Sequence, residues 1–155
     1  MGVKLYKPAP RFTLPKSGGG TISLDDYYGH FLVLYFYPRD GSVSCTRQAR
    51  EFTEAVPQFE EFKAKILGIS CDAVEAHDAF IAEHKFGITL ASDLEGVVCR
   101  NYNVWSSRVS YGRTVYGIER STFLIDPTGC TLQVWRRIKV PGHIRDIMRV
   151  LKTCC

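Results

Sequence analysis

Phe31-Leu32-Val33-Leu34-Tyr35-Phe36-Tyr37, followed by Pro38-Arg39-Asp40-Gly41-Ser42-Val43-Ser44-Cys45, is the stretch whose reading decides the fold. Seven residues pass without a polar break, and a strand with one wet face would alternate, so this one is expected to be covered on both faces, as in the middle of an α/β sheet. Pro38 ends it. Beyond the turn, Ala49, Phe52, Val56, Phe59 and Phe62 recur at steps of three and four, which predicts the buried face of a helix over 42–63. Pro57 falls inside that span and is expected to kink or restart the helix.

Upstream, residues 11–14 and 21–23 flank Pro15-Lys16-Ser17-Gly18-Gly19-Gly20, the pattern of a β-hairpin with a glycine-rich turn. A phosphate loop would need Gly-Lys-Ser/Thr at its end, whereas Gly20 is followed by Thr21-Ile22. Downstream, residues 65–71 read as a second apolar strand, Asp72 as the N-cap of a helix running to His84, 88–92 as a third strand and 95–102 as a short helix. Thr122-Phe123-Leu124-Ile125-Asp126, the turn Pro127-Thr128-Gly129 and residues 131–136 form a further hairpin. Ile144, Ile147, Met148 and Leu151 then mark a final helix packed on the sheet. Strands alternating with helices give the α/β class, and no repeat, low-complexity tract or linker divides residues 1–155, which are read as one domain.

Composition narrows the function classes. With 45% hydrophobic and 23% charged residues the chain is that of an ordinary soluble protein. No apolar run approaches the ~20 residues of a membrane span, and Met1-Gly2-Val3-Lys4-Leu5-Tyr6-Lys7 lacks the apolar stretch of a signal peptide, so a cytoplasmic protein with no membrane partner is expected. The net charge of +4 is spread among interspersed acidic residues, which gives no reason to expect nucleic acid. Six cysteines stand at 45, 71, 99, 130, 154 and 155 in a chain too long to need a disulfide scaffold, and they read as thiols. There is no Cys-x-x-Cys pair and no cysteine with a histidine at zinc-site spacing, so neither structural zinc nor dithiol exchange of the thioredoxin kind has its signature, and no metal or cofactor is expected.

Cys45 is the residue with a chemical setting. It falls in the first turn of the predicted helix, where free N–H groups and the positive end of the helix dipole stabilise an anion, and such surroundings lower a cysteine pKa from about 8.5 toward or below neutrality. Ser42 and Ser44 carry hydroxyls able to cap those N–H groups or to donate to the sulfur, and Pro38 closes the strand without a competing N–H. Other cysteine chemistries fit less well. A cysteine phosphatase loop needs Cys-x5-Arg, but Arg50 follows after four intervening residues and position 51 is glutamate. A hydrolase needs a histidine beside the thiol, and His30 lies across a strand of roughly 20 Å at about 3.3 Å per residue. His77 and His84 are two turns apart, too far for a shared metal, and read as exposed helix histidines.

The stretch from Phe36 to Thr46 resembles the Pro-x-x-x-Thr/Ser-x-x-Cys signature of the peroxiredoxin family, in particular its bacterioferritin comigratory protein (peroxiredoxin Q) subfamily. Gly117-Ile118-Glu119-Arg120-Ser121-Thr122-Phe123-Leu124-Ile125-Asp126 is similar to the second signature of that family. Leu67-Gly68-Ile69-Ser70, Val74-Glu75-Ala76-His77, Ser92-Asp93 and Tyr102-Asn103-Val104-Trp105 fall in the same order, so the resemblance covers nearly the whole chain. It implies a thioredoxin-like fold, a central mixed β-sheet flanked by helices with an N-terminal hairpin. It also implies a thiol peroxidase with Cys45 as the peroxidatic cysteine and Pro38, Ser42, Arg120 and backbone N–H groups around the sulfur and the peroxide. Hydrogen peroxide and organic hydroperoxides are the implied substrates, and thioredoxin, glutaredoxin or a small thiol the implied reductant, for a monomer or weak dimer. Pro38, Ser42, Cys45 and Arg120 together argue against a domain that has kept only a binding surface.

The chain departs from that pattern where many members carry a resolving cysteine, five residues after the peroxidatic one or on the next helix. Those places hold Arg50 and Ile81, and Ser44 replaces the glycine common before the catalytic cysteine. A one-cysteine mechanism with an external thiol is therefore expected, the alternative being resolution by Cys71, Cys99 or the terminal Cys154 and Cys155. Cys71 and Cys99 read as core packing, Cys130 as a turn residue and the last two as a frayed terminus able to bridge to another chain.

Overall fold

The computed structural model describes residues 2–154. Its centre is strand β3 (Phe31–Phe36), flanked in a five-stranded sheet by β4 (Ala64–Ser70), β5 (Thr89–Ser92), β8 (Ser121–Ile125) and β9 (Thr131–Arg136) in the order β5-β4-β3-β8-β9. β3, β4 and β5 run parallel and β8 and β9 antiparallel to them, so the sheet is mixed. The unbroken apolar run is explained by cover on both faces. Leu32, Leu34 and Phe36 pack with Leu67, Ile69, Tyr102 and Phe123 on one face. Val33, Tyr35 and Tyr37 face α1 (Val43–Glu61) and α4 (His143–Cys154), whose Ala49, Phe52, Phe59, Ile147 and Leu151 complete the second layer. Gly68 pairs with Tyr35 across β3 and β4, and a Cβ there would lie 2.7 Å from the Tyr35 ring and 2.8 Å from Leu90.

The N-terminal hairpin forms from β1 (Thr13–Pro15) and β2 (Thr21–Ser23), with Leu14 opposite Ile22 and Gly18, Gly19 and Gly20 all at positive φ in the turn. Its turn is tied to β5, where Ser17 N–H donates to the Leu90 carbonyl at 2.8 Å and Ser17 Oγ accepts from Leu90 N–H at 3.1 Å. No helix among the described residues is long and apolar enough to cross a membrane.

Several local expectations change. α1 does not restart at Pro57; the helix runs unbroken because Pro57 is on its exposed side, where a freed carbonyl meets water, while Phe52, Ala55 and Phe59 hold the other side on the sheet. Asp72 is not the cap of α2 (Val74–His84): Ala73 occupies that place without a side-chain bond, because the Asp72 carboxylate is taken by Ser70 Oγ and Asp40 N–H at 2.7 and 2.8 Å. The short helix α3 is confined to Val97–Asn101. Between it and β8 stands a hairpin without a readable pattern in the sequence, β6 (Trp105–Ser110) and β7 (Arg113–Ile118). Its two-residue turn, Tyr111 and Gly112 at φ 50 and 75, matches the twist of the strands, but the arms are mostly exposed on both faces and give no alternation to read.

Candidate active site

The loop between β3 and α1 carries the nucleophile candidate. Ser42 is the N-cap, in an extended conformation, and its Oγ accepts from the backbone N–H of Cys45 at 3.2 Å. Its carbonyl accepts from both the N–H and the hydroxyl of Thr46, at 2.9 and 2.8 Å. The first turn is thus held at both ends, and Cys45 is only 1% exposed, against the layer of Tyr35 and Phe52. Ser42 meets Cys45 through its N–H, a capping role that keeps the sulfur at the positive end of the helix.

Arg120 lies just before β8. Because Ser121 pairs with Phe36 at the end of β3, antiparallel pairing delivers Arg120 to the same edge of the sheet as Cys45. The Arg120 carbonyl accepts from Ile138 N–H at 3.1 Å, which fixes its backbone. One guanidinium nitrogen, Nη2, donates to Cys45 Sγ at 3.3 Å and to Ser44 Oγ at 2.8 Å, and Nη1 donates to Gln48 Oε1 at 2.5 Å. A planar fork held at three points keeps a fixed positive charge against a sulfur shielded from water, and low dielectric strengthens that contact. Gln48 is buried and was not singled out in the sequence; its signal is its place at i+3 from Cys45, one turn along the same face. Pro38 is exposed in the same loop and lines a groove of about 720 Å³ with Arg39, Val115, Tyr116, Ile118 and Glu119. Ser42, Cys45 and Arg120 are therefore brought together, and Pro38 lies four residues before Ser42 in the same loop.

His77 is not an exposed helix histidine. It is fully buried, with Nε2 3.0 Å from the Ala91 carbonyl and Nδ1 2.7 Å from Asp40 Oδ2. A carbonyl only accepts, so Nε2 donates to Ala91, and the other ring nitrogen faces the Asp40 carboxylate. The Tyr37 hydroxyl donates to Asp40 Oδ1 at 2.6 Å and is held well above its ordinary pKa by burial, with Tyr35 and Asp40 adding to the effect. Asp40 N–H donates to Asp72 at 2.8 Å. Asp40 lies between Pro38 and Ser42, so this network clasps the loop that presents Cys45. Donor atoms of Asp40, Asp72 and His77 converge within 4.8 Å, and the hydrogen bonds of Asp40 to both partners account for that convergence.

The remaining described cysteines are free and elsewhere. Cys71 and Cys99 pack in the layer of Leu34 and Phe36, on the opposite face of the sheet from Cys45. Cys130 precedes β9, beyond the Ile125 that pairs with Leu32, and so lies toward the other end of β3. Cys154 closes α4 as an exposed helical residue rather than a frayed one. Cys155 lies outside the described residues. Arg50 extends from α1 to His84 Nδ1 at 3.2 Å and lies over the Phe86 ring, while Ile81 packs with the α1 layer.

Residues 5–133 match the model of the AhpC/TSA family. Peroxiredoxin Bcp of Xanthomonas campestris is 44% identical over 150 residues, spanning 96% of this chain and 94% of that protein. Peroxiredoxin Bcp of Bacillus subtilis is 37% identical over 152 residues, spanning 98% and 97%. Among solved structures, Xanthomonas campestris peroxiredoxin Q superposes with a TM-score of 0.88 at 42% identity over 92% of this chain and 90% of that one. A Xylella fastidiosa PrxQ mutant does so at 0.93 and 37% over 99% and 98%. A family match over most of the chain, close relatives along nearly all of it and a thioredoxin-like sheet carrying a capped cysteine lead to one assignment: the chain belongs to the AhpC/TSA family as a peroxiredoxin of the Bcp (peroxiredoxin Q) type, a thiol peroxidase.

Proposed function

We propose that the protein reduces hydrogen peroxide and organic hydroperoxides at Cys45 and that an external thiol restores it. The observation that carries this reading is the Arg120 guanidinium, donating at once to Cys45 Sγ, Ser44 and Gln48 at the N-terminus of α1. The Cys45 thiolate attacks one peroxide oxygen; an S–O bond forms, the O–O bond breaks, and the second oxygen leaves as water or alcohol after taking a proton. Arg120 and the N–H groups of the first turn supply fixed donors where charge moves onto the leaving oxygen. Ser42 holds the turn, and Pro38 shapes the approach. The sulfenic acid is then attacked by a thiol from outside, releasing water, and a second thiol frees Cys45 from the mixed disulfide. One-cysteine recycling is supported by the placement of Cys71, Cys99, Cys130 and Cys154 away from Cys45, and by Arg50 and Ile81 being engaged in packing between α1 and α2. Thioredoxin, glutaredoxin or a small thiol would serve, acting on a monomer or weak dimer.

The test is peroxide consumption with a thiol reductant by wild type and Cys45→Ser. Loss of turnover in a variant that still unfolds cooperatively is expected, since a hydroxyl supplies almost no anion; near-normal turnover would remove Cys45 from the reaction.

A further inference from the structure

Cys71 follows the last residue of β4, Cys99 sits in the middle of α3, and their sulfurs lie within 4.8 Å of each other and of a carboxylate oxygen of Asp93. Asp93 is committed to the start of α3: Oδ2 accepts from Cys99 N–H at 2.8 Å and Oδ1 from Val98 N–H at 3.3 Å. The two thiols also hydrogen-bond each other, and the Asp93 carboxylate accepts from the Cys99 thiol as well. A hydrogen bond from the Cys99 thiol holds the Cys71 thiol below its ordinary value, and the same bond, with burial and Asp93, pushes Cys99 up. Cys99 is fully buried, while Cys71 is partly exposed at the strand end, outside the β ladder. That arrangement gives one reachable nucleophilic sulfur with a proton-bearing thiol directly behind it. Closing to an S–S bond of about 2.05 Å requires the sulfurs to approach from within 4.8 Å, and Cys71, outside the β ladder, is the partner whose backbone strand pairing does not pin.

We infer that Cys71 and Cys99 form a second redox site, a dithiol that closes to an intramolecular disulfide under peroxide, separately from Cys45. Cys71 attacks hydrogen peroxide, an S–O bond forms as O–O breaks, and water leaves. The Cys99 thiol then attacks the Cys71 sulfenic acid, the S–S bond forms, and a second water leaves. Two thiols and one peroxide thus give one disulfide and two waters. The sheet separates this pair from Cys45, so it does not discharge the sulfenic acid formed there. It protects Cys71 instead, since a sulfenic acid with a thiol at hand condenses before it reaches the irreversible sulfinic state.

The test uses Cys45→Ser protein, so that the outcome does not depend on the proposed peroxidase reaction. After treatment with hydrogen peroxide and blocking of free thiols, tryptic peptides 66–85 and 86–100, which contain Cys71 and Cys99, are expected as one linked species lighter by two hydrogens than their sum and separated by a reductant. The linkage should vanish in Cys71→Ser and in Cys99→Ala, two variants because the buried site tolerates change less well. Recovery of both cysteines as blocked free thiols, Cys71 as a sulfinic acid, or either one linked to a different cysteine would overturn the inference. So would stoichiometric zinc in the purified wild type that is lost in both variants, which would make the cluster a metal site.

Discussion

Among the described residues, the guanidinium of Arg120 is the formal positive charge hydrogen-bonded to Cys45 Sγ, and it is aimed by its bonds to Ser44 and Gln48. Arg120→Ala is expected to slow reaction with peroxide by about 2–4 kcal/mol of transition-state stabilisation, roughly 30- to 1,000-fold, the scale of losing one preorganised donor. Stopped-flow measurement under single-turnover conditions checks it, and an unchanged rate constant would leave Arg120 as a surface residue. His77 acts at one remove. Replacing it with leucine strands the buried Asp40 carboxylate, which among the described residues keeps Tyr37 as its side-chain donor, at a cost of about 1–3 kcal/mol in stability. Because Asp40 belongs to the loop before Ser42, the rate of Cys45 alkylation should also change in His77→Leu, with partial recovery in His77→Gln. A change in stability with unaltered alkylation would reduce His77 to a packing residue.

At the scale of elements, α4 is anchored at its start by His143, whose Nε2 lies 2.8 Å from Thr122 Oγ1 on β8. Burial pushes the His143 pKa down to about 4, Asp146 opposing weakly, so the folded protein keeps it neutral. In the unfolded chain it titrates near 6.5. As pH falls from about 6.5 to about 4 the unfolded state takes a proton that the folded state refuses, and stability is lost across that window, on the order of 3 kcal/mol in full. Denaturant unfolding at pH 7.5, 5.5 and 4.5 should show the fall, and His143→Gln should flatten it; an equal slope in both proteins would assign acid sensitivity to other groups. The elements differ in how far the sequence announces them. β3 and α1 are legible because one is apolar at every position and the other at every third or fourth, and both patterns come from burial. The β6–β7 hairpin is exposed on both faces and has no such pattern. Within the site, Cys45 and Ser42 could be named from their place at a helix start, and Arg120 from the family resemblance. Gln48, and the clasp of Tyr37, Asp40 and His77, could not. The clasp depends on α2 laying a buried histidine against a loop from the far side of α1, and nothing local to either segment encodes that meeting.

Across the whole molecule the sheet decides which sulfurs meet. Cys45 lies on the α1 face at the end of β3, Cys71 and Cys99 on the opposite face, Cys130 toward the other end of the strand and Cys154 at the far end of α4. On the proposed one-cysteine route, a sulfenic acid at Cys45 awaits a thiol from outside, and its lifetime is set by that encounter rather than by an internal partner. The direct measurement is to treat the wild type with one equivalent of hydrogen peroxide, trap with dimedone and map the tryptic peptide 40–47, which holds Cys45 alone among the cysteines. This peptide is expected to carry the dimedone adduct in most molecules and, with excess peroxide, the sulfinic acid, whatever the state of Cys71 and Cys99. Rapid and quantitative recovery of peptide 40–47 in an intramolecular disulfide with any of the other five cysteines would contradict it.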